Sequence, residues 1–91
     1  MTIDPVPPIP QAAAEIHLAS LLVHVRPGMV DGVRAALAAL DGVEVHLEQD
    51  SKLVVTLEGP HEGWIAERMT AIHLMPGVLS AVMVFHHMDA A

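Results

Sequence analysis

The spacing of apolar and polar residues changes along the chain and marks out separate elements. From Ile16 to Arg26 the residues are rich in Leu, Val and His without helical spacing, and Pro27 and Gly28 end the run, which predicts a first strand. Between Gly28 and Leu40 apolar residues recur at every third or fourth position, which predicts a helix. The residues with this spacing are Val30, Val33, Leu37 and Leu40.

The second half of the chain predicts two more strands, a helix and a last strand. Val43 to Glu48 alternates strictly between apolar and polar residues, as a strand covered on one side does. The polar turn Gln49 to Lys52 joins it to Leu53 to Glu58, so the two runs predict a hairpin. His61 to Met75 returns to helical spacing, and Val78 to His87 is an almost continuously apolar strand followed by a short tail. The apolar side of the second helix consists of Ile65, Met69, Ile72 and Met75.

The element order predicts the fold class. Two β-α-β units with right-handed crossovers give an α+β, ferredoxin-like βαββαβ fold, with a four-stranded antiparallel sheet in the order 4-1-3-2 and both helices on one face. We expect a single domain over residues 15–89. Residues 1–14 are rich in proline and alanine and are predicted to form a flexible N-terminal tail.

Successive side chains of a strand point to opposite faces of the sheet, and we call this alternation strand parity. It predicts which side chains face the helices and which lie on the open face, the face of the sheet that carries no helix. The core-facing sets are Leu21, Val23 and Val25 in the first strand, Val43, Val45 and Leu47 in the second, and Leu53, Val55 and Leu57 in the third. The open face receives Ser20, Leu22 and His24 from the first strand, Glu44, His46 and Glu48 from the second, and Val54, Thr56 and Glu58 from the third.

The last strand has no clear parity, because nearly every position is apolar. The bulkier series Leu79, Met83 and Phe85 is assigned to the core, and a bulge in the strand would reverse this assignment. The open face would then receive Ser80, Val82, Val84 and His86. This places an apolar centre beside three glutamates, and an apolar patch of this kind binds a ligand or is covered by a second copy of the protein.

Composition and charge exclude several classes of function. The 91 residues are 53% hydrophobic and carry a formal charge of −7, which argues against nucleic acid as a partner. Without cysteine the chain has no disulfides and no thiolate sites, which fits a reducing compartment. The N-terminus lacks the pattern of an export signal, and no apolar run is long enough for a membrane span. We expect a cytoplasmic protein without stable membrane insertion.

The residues that could carry chemistry do not occur at the required spacings. His61-Glu62 starts like a zinc-protease motif, but the second histidine would fall at Ile65, and His86 and His87 point to opposite faces of a strand. A glycine-rich phosphate loop is missing, and none of the serines lies in a nucleophile motif. We therefore expect no metal, no cofactor and no catalytic residue.

Four segments of the chain, taken in order, carry a resemblance to a known family. The segments are Ser20-Leu21-Leu22-Val23, Leu40-Asp41-Gly42-Val43-Glu44-Val45-His46, Lys52-Leu53-Val54-Val55-Thr56-Leu57-Glu58, and Pro76-Gly77-Val78-Leu79-Ser80-Ala81 leading to Val84-Phe85-His86-His87. They resemble the NapD family, which consists of small cytoplasmic assembly chaperones for the periplasmic nitrate reductase. The resemblance covers the chain from about His17 to Asp89. It departs from the family at Phe85, where the family often has Tyr, and at Ser51, where the family often has Gly.

This resemblance implies a chaperone that binds the twin-arginine signal peptide of the nitrate reductase catalytic subunit and delays export until cofactor insertion. Such a peptide has a cationic segment followed by an apolar one, which suits an apolar face with glutamates at its edge. The expected binding residues are Ser20, Leu22, His24, Glu44, Glu48, Val54, Thr56, Glu58, Val82 and Val84. The alternative is a homodimeric ferredoxin-like regulatory or ligand-sensing domain that pairs through the same face.

Overall fold

The computed structural model describes residues 15–90, which form six elements in the predicted order. They are β1 (Glu15–Val25), α1 (Val30–Ala38), β2 (Val43–Gln49), β3 (Lys52–Gly59), α2 (Glu62–His73) and β4 (Val78–Ala90). The predicted flexible tail over residues 1–14 lies outside the described residues.

The four strands form one antiparallel sheet in the order β2-β3-β1-β4, which confirms the predicted ferredoxin-like arrangement. β1 is central and pairs with both β3 and β4. Its first residue, Glu15, is the Cα partner of Ala90, so β1 offers hydrogen-bonding groups along the whole of β4. For this reason β4 continues to Ala90 and does not end at His87, as the sequence suggested.

The core lies between the sheet and the two helices. Leu37 of α1 and Ile72 of α2 have no exposed area, and the predicted apolar stripes of both helices pack on the sheet. The strand residues that share this buried cluster are Ala19, Leu21, Val23, Val25, Val43, Leu53, Val55, Leu57 and Ala81. Three of the four strands therefore contribute their core largely as predicted.

Trp64 of α2 adds a contact that the spacing of apolar residues did not predict. A Cβ atom added to Gly59 would lie 2.1 Å from Trp64 Cε3, and one added to Gly42 would lie 2.5 Å from Trp64 Cη2. The indole therefore lies against the backbone of both glycines. The guanidinium of Arg68 covers the ring from 4.6 Å above its centroid.

A tight turn joins β2 to β3 and uses two residues with positive φ. Asp50 has φ 53° and Ser51 has φ 65°, the conformation of a two-residue type I′ hairpin. The Ser51 carbonyl accepts a hydrogen bond from the Val25 backbone N–H at 2.8 Å, which ties the turn to the end of β1. The hairpin is as predicted, but its turn lacks the usual glycine.

Because of a bulge in β2, two residues lie on the opposite face of the sheet from the one predicted. The register of β2 against β3 shifts between Val45 and Leu47, so His46 is the extra residue. Beyond the shift Leu47 pairs with Val54 on the open face and is 57% exposed, whereas the core was predicted. Glu48 is turned to the helix side, where its carboxylate accepts a hydrogen bond from the Arg34 guanidinium of α1.

A bulge in β4 likewise reverses the assignment of the last strand beyond Met83. Met83 faces Leu21 as predicted, but the register shifts after it, and Val84 has no partner on β1. Phe85, assigned to the core, pairs with Ser20 on the open face, and His86, assigned to the open face, pairs with Ala19 on the helix side. Leu79, also assigned to the core, lies at a second register shift and is 52% exposed.

Candidate functional site

The open face carries an apolar row that crosses the whole sheet. Leu22 is the Cα partner of both Val54 and Val82, and Val54 is the partner of Leu47, so the four side chains lie side by side on four strands. We call Leu47, Val54, Leu22 and Val82 the apolar row. Neighbouring strands lie about 4.8 Å apart, so the row is about 14 Å long. Leu47 and Val82 are more than half exposed, which leaves an apolar strip without helix cover.

An acidic recess adjoins the apolar row on one side. Glu44, Thr56, Ser20 and Phe85 form the next row of partners across the sheet. The recess has a volume of about 640 Å³. We use the name acidic recess for the hollow lined on the open face by Leu18, Ser20, Glu44, His46, Thr56, Glu58 and Phe85. Two carboxylates and an aromatic ring, with no lysine or arginine in this lining, suit a cationic group.

Hydrogen bonding orders the polar side of the recess. The His46 imidazole Nε2 lies 2.6 Å from the Thr56 hydroxyl and 4.0 Å from a Glu44 carboxylate oxygen. The bulge places His46 on the open face beside Leu47, since both side chains are neighbours of β3 residues on that face. Phe85 stacks on His87, with ring centroids 6.1 Å apart.

A polar row borders the apolar row on its other side. His24 pairs with Lys52 and with Ser80, and Gln49 pairs with Lys52. The apolar row therefore lies between an acidic recess and a row that contains a lysine. A long ligand with one cationic and one apolar segment would meet different chemistry at each end of the face.

Most of the predicted site residues come together on the open face, and two need correction. The residues placed there are Ser20, Leu22, His24, Glu44, Val54, Thr56, Glu58 and Val82. Glu48 does not lie on the open face, because the β2 bulge turns it toward Arg34. Val84 is exposed but is the unpaired residue of the β4 bulge, so it is not part of a row.

Sequence reasoning missed Leu47 and Phe85, and it did not assign Leu18, His46 or Lys52 to the site. Leu18 and His46 line the recess, and Leu47 and Lys52 surround a second hollow beyond Val54. No sequence signal identifies the β2 bulge, since Val43 to Glu48 alternates without a break. The bulge in β4 also has no sequence signal, but for a different reason. Consecutive apolar residues do not alternate with polar ones, so they do not indicate which residues face the core.

The described part of the chain, residues 15–90, shows neither a metal cluster nor a membrane-spanning helix. Its His, Asp and Glu side chains form no group of three or more that could hold a metal ion. No helix among these residues is both long and apolar enough to cross a membrane.

The fold and the open face define a ferredoxin-like domain that presents an exposed apolar and acidic sheet surface. The chain belongs to the NapD protein family, whose model matches residues 16–90.

Two relatives agree with this membership, and a solved structure shares the fold. Chaperone NapD of Paracoccus pantotrophus is 40% identical over 70 residues, which are 77% of this chain and 62% of that protein. Chaperone NapD of Haemophilus influenzae (strain ATCC 51907 / DSM 11121 / KW20 / Rd) is 25% identical over 79 residues, with 85% of each chain covered. The solution structure of the E. coli Tat proofreading chaperone protein NapD matches with a TM-score of 0.74 and 22% identity, covering 79% of this chain and 78% of that one, and has the same fold.

Proposed function

We propose that this protein is a cytoplasmic assembly chaperone and not an enzyme. In this proposal it binds the twin-arginine signal peptide of the catalytic subunit of the periplasmic nitrate reductase and delays export until the cofactor is inserted. The observation that carries the proposal is the apolar row lying beside an acidic recess on the open face. Membership of the NapD family and the names of its relatives support the chaperone role.

The chemistry of the two surfaces fits the two segments of such a peptide. Residues of adjacent rows are two positions apart in a strand, so the rows are separated by about 7 Å. The arginines would lie over the acidic recess, where Glu44 and Glu58 offer carboxylates and Phe85 offers a ring face. The apolar segment would then cover Leu22 and Val54, and burial of these side chains would supply much of the affinity.

We favour a helical peptide over an added strand. The apolar row is about 14 Å long, which about ten residues of helix would span. Strand addition would use the edge of β2 or β4, and both edges are interrupted by register shifts. An apolar sheet face also recognises side chains, whereas a strand edge mainly offers backbone groups.

Calorimetric titration with a twin-arginine peptide tests the proposal most directly, with a peptide carrying lysines at the two arginine positions as the matched control. We expect saturable binding of the arginine peptide and weaker binding of the lysine peptide, because lysine cannot form bidentate contacts with carboxylates. The absence of heat with the arginine peptide up to high micromolar concentration would rule the proposal out.

Leu22→Glu tests the position of the site. Leu22 is only partly exposed in the middle of the apolar row, and a carboxylate there would be buried against an apolar peptide segment. We expect affinity to fall by at least about thirtyfold, about 2 kcal/mol, while the thermal unfolding curve stays cooperative. Unchanged affinity would remove β1 from the site.

A pair of glutamate substitutions tests the role of charge. Glu44→Gln removes a carboxylate from the acidic recess, and Glu48→Gln removes one from the opposite side of the same strand. We expect Glu44→Gln to weaken peptide binding by about two- to fivefold at low salt, and Glu48→Gln to leave it unchanged. Equal effects would mean that net charge, and not the recess, attracts the peptide.

A second candidate function follows from the exposure of the apolar row. Leu47 and Val82 could be buried against the same row of another copy, as in a homodimeric regulatory or ligand-sensing domain. Light scattering separates the two functions, since a stable dimer without peptide affinity would favour this second candidate.

A further inference from the structure

We propose that this protein binds a Cu(I) ion on the helix side of the sheet, where the start of β1 and the end of β4 lie beside α2. The donor atoms would be the imidazole nitrogens of His17 and His86, together with the thioether sulfurs of the neighbouring methionines, which are Met69, Met83 and Met88. The site lies on the other side of the sheet from the open face and does not rest on the proposed function.

The bulge in β4 brings these donors to one side of the sheet. Met83 and His86 are three residues apart, so in a regular strand they would point to opposite faces. The unpaired Val84 changes the alternation, and both side chains lie on the helix side. Met88 follows His86 by two residues and is the Cα partner of His17, so these side chains share that side as well. Bulges often turn a side chain toward a functional site, which is the effect seen here.

The two imidazoles lie at the separation that a shared metal ion requires. His17 Nδ1 is 3.4 Å from Nε2 of His86, and the rings stack with centroids 5.6 Å apart. A metal bonded to two imidazole nitrogens at about 2.0 to 2.1 Å, with an angle of about 110 to 120° between the bonds, holds them about 3.3 to 3.6 Å apart. His17 is buried and therefore fixed, whereas His86 is exposed, so its ring can turn toward an ion without disturbing the core.

A hollow between α2 and β4 gives an ion access to these donors. The hollow has a volume of about 490 Å³, and Met69, Met83 and His86 are among the side chains that line it. Both methionines are half-buried, and their unbranched side chains can adjust the position of the sulfur. The lining also includes Glu62 but no lysine or arginine, which favours the entry of a cation.

The kind of donor selects Cu(I) over other metal ions. Thioether sulfur is a soft ligand that prefers Cu(I), and imidazole nitrogen also suits copper. Zn²⁺ instead requires several His, Cys, Asp or Glu ligands, and the described residues 15–90 hold no group of three or more of these. Three of the six methionines of the chain are neighbours of the histidine pair, so the sulfur donors are concentrated at this site.

An anaerobic NMR titration of the full chain with Cu(I), supplied as its acetonitrile complex, tests the site directly. Cu(I) is diamagnetic, so the methyl signals of ligating methionines shift and stay visible. We expect saturation at one Cu(I) per chain, with shifts of the methyl signals of Met69, Met83 and Met88. Met29 and Met75 line a different hollow beside Pro76, at the start of β4, and their methyl signals should stay unchanged.

Two matched pairs of variants test the two kinds of donor. His86→Gln removes an imidazole from the site, and His87→Gln removes the next one along the chain, which is paired with Leu18 on the open face. We expect His86→Gln to lower the Cu(I) affinity by at least about tenfold, since even indirect partners of a metal ligand have effects of that size, and His87→Gln to leave it unchanged. Changing Met69, Met83 and Met88 together to Leu should cause a similar loss, whereas Met29→Leu with Met75→Leu should not. Leucine nearly conserves the volume of methionine, so both methionine variants should fold.

Any of three results would overturn the site. The first is no methyl shift at an excess of Cu(I), which would leave His17 and His86 as a hydrogen-bonded pair only. The second is a shift confined to Met1, Met29 or Met75, which would place the ion elsewhere. The third is an equal loss of affinity with His86→Gln and His87→Gln. Unchanged affinity in the variant with the three leucines would overturn the thioether donors and, with them, the selection of Cu(I).

Discussion

Gly59→Ala should destabilise the protein strongly, because Trp64 occupies the space that a side chain would need. The added Cβ would lie 2.1 Å from Cε3, 2.4 Å from Cδ2 and 2.7 Å from Cζ3 of the indole. Carbon atoms are in favourable contact at about 3.5 Å, so the ring must move by about 1.4 Å. Movement of the ring toward Gly42 is blocked because Cη2 and Cζ2 at its far end already lie against that glycine. We expect a loss of about 2 to 3 kcal/mol in the free energy of unfolding.

Urea unfolding followed by tryptophan fluorescence measures this loss, since Trp64 is the single tryptophan and reports on its own environment. Gly32→Ala is the matched control, because nothing lies within 4 Å of a Cβ added in this position of α1. That control should stabilise the protein by up to about 1 kcal/mol through helix propensity. If Gly59→Ala unfolds at the same urea concentration as Gly32→Ala, the packing of Trp64 against Gly59 is refuted.

Three further substitutions test the hairpin turn, the core and the surface ion pair by the same urea method. Ser51→Gly should stabilise by about 0.5 to 1 kcal/mol because φ is 65° at this position, and Ser80→Gly in β4 should destabilise instead. A loss with Ser51→Gly would contradict the turn geometry. Leu37→Ala should cost about 2 to 5 kcal/mol because the side chain is fully buried, and a loss below about 1 kcal/mol would argue against that burial. Arg34→Ala should cost less than about 1 kcal/mol because its partner Glu48 is also exposed, and a larger loss would indicate a further role for Arg34.

The fold could be predicted because its signals are local and agree with each other. Each element has its own local signal, such as the apolar stripe with Val33 and Leu37, the breakers after β1 and the alternation of β2. The right-handedness of the β-α-β crossovers then leaves few ways to arrange the six elements. Parity also assigned β1 and β3 correctly, since neither strand contains a bulged residue of its own. The open face was therefore predicted correctly at its centre, where Leu22 meets Val54.

The two edge strands could not be predicted in full, because tertiary contacts decide their bulges. In β2 the unbulged alternation would put Leu47 in the core and Glu48 on the open face. The observed register instead gives Glu48 an ion pair with Arg34 and gives Leu47 a neighbour in Val54. These partners are distant in sequence, so no local pattern contains the information.

Both bulges have the same effect on the open face. In β2 the shift exchanges Glu48 for Leu47, and in β4 it exchanges His86 for Phe85. Each exchange moves a polar side chain to the helix side, where Glu48 meets Arg34 and the His86 ring stacks on the His17 ring with centroids 5.6 Å apart. Each also adds an apolar or aromatic side chain to the open face. Because bulges disrupt strand edges as well, the same two features protect the sheet from edge pairing and extend the apolar part of the open face.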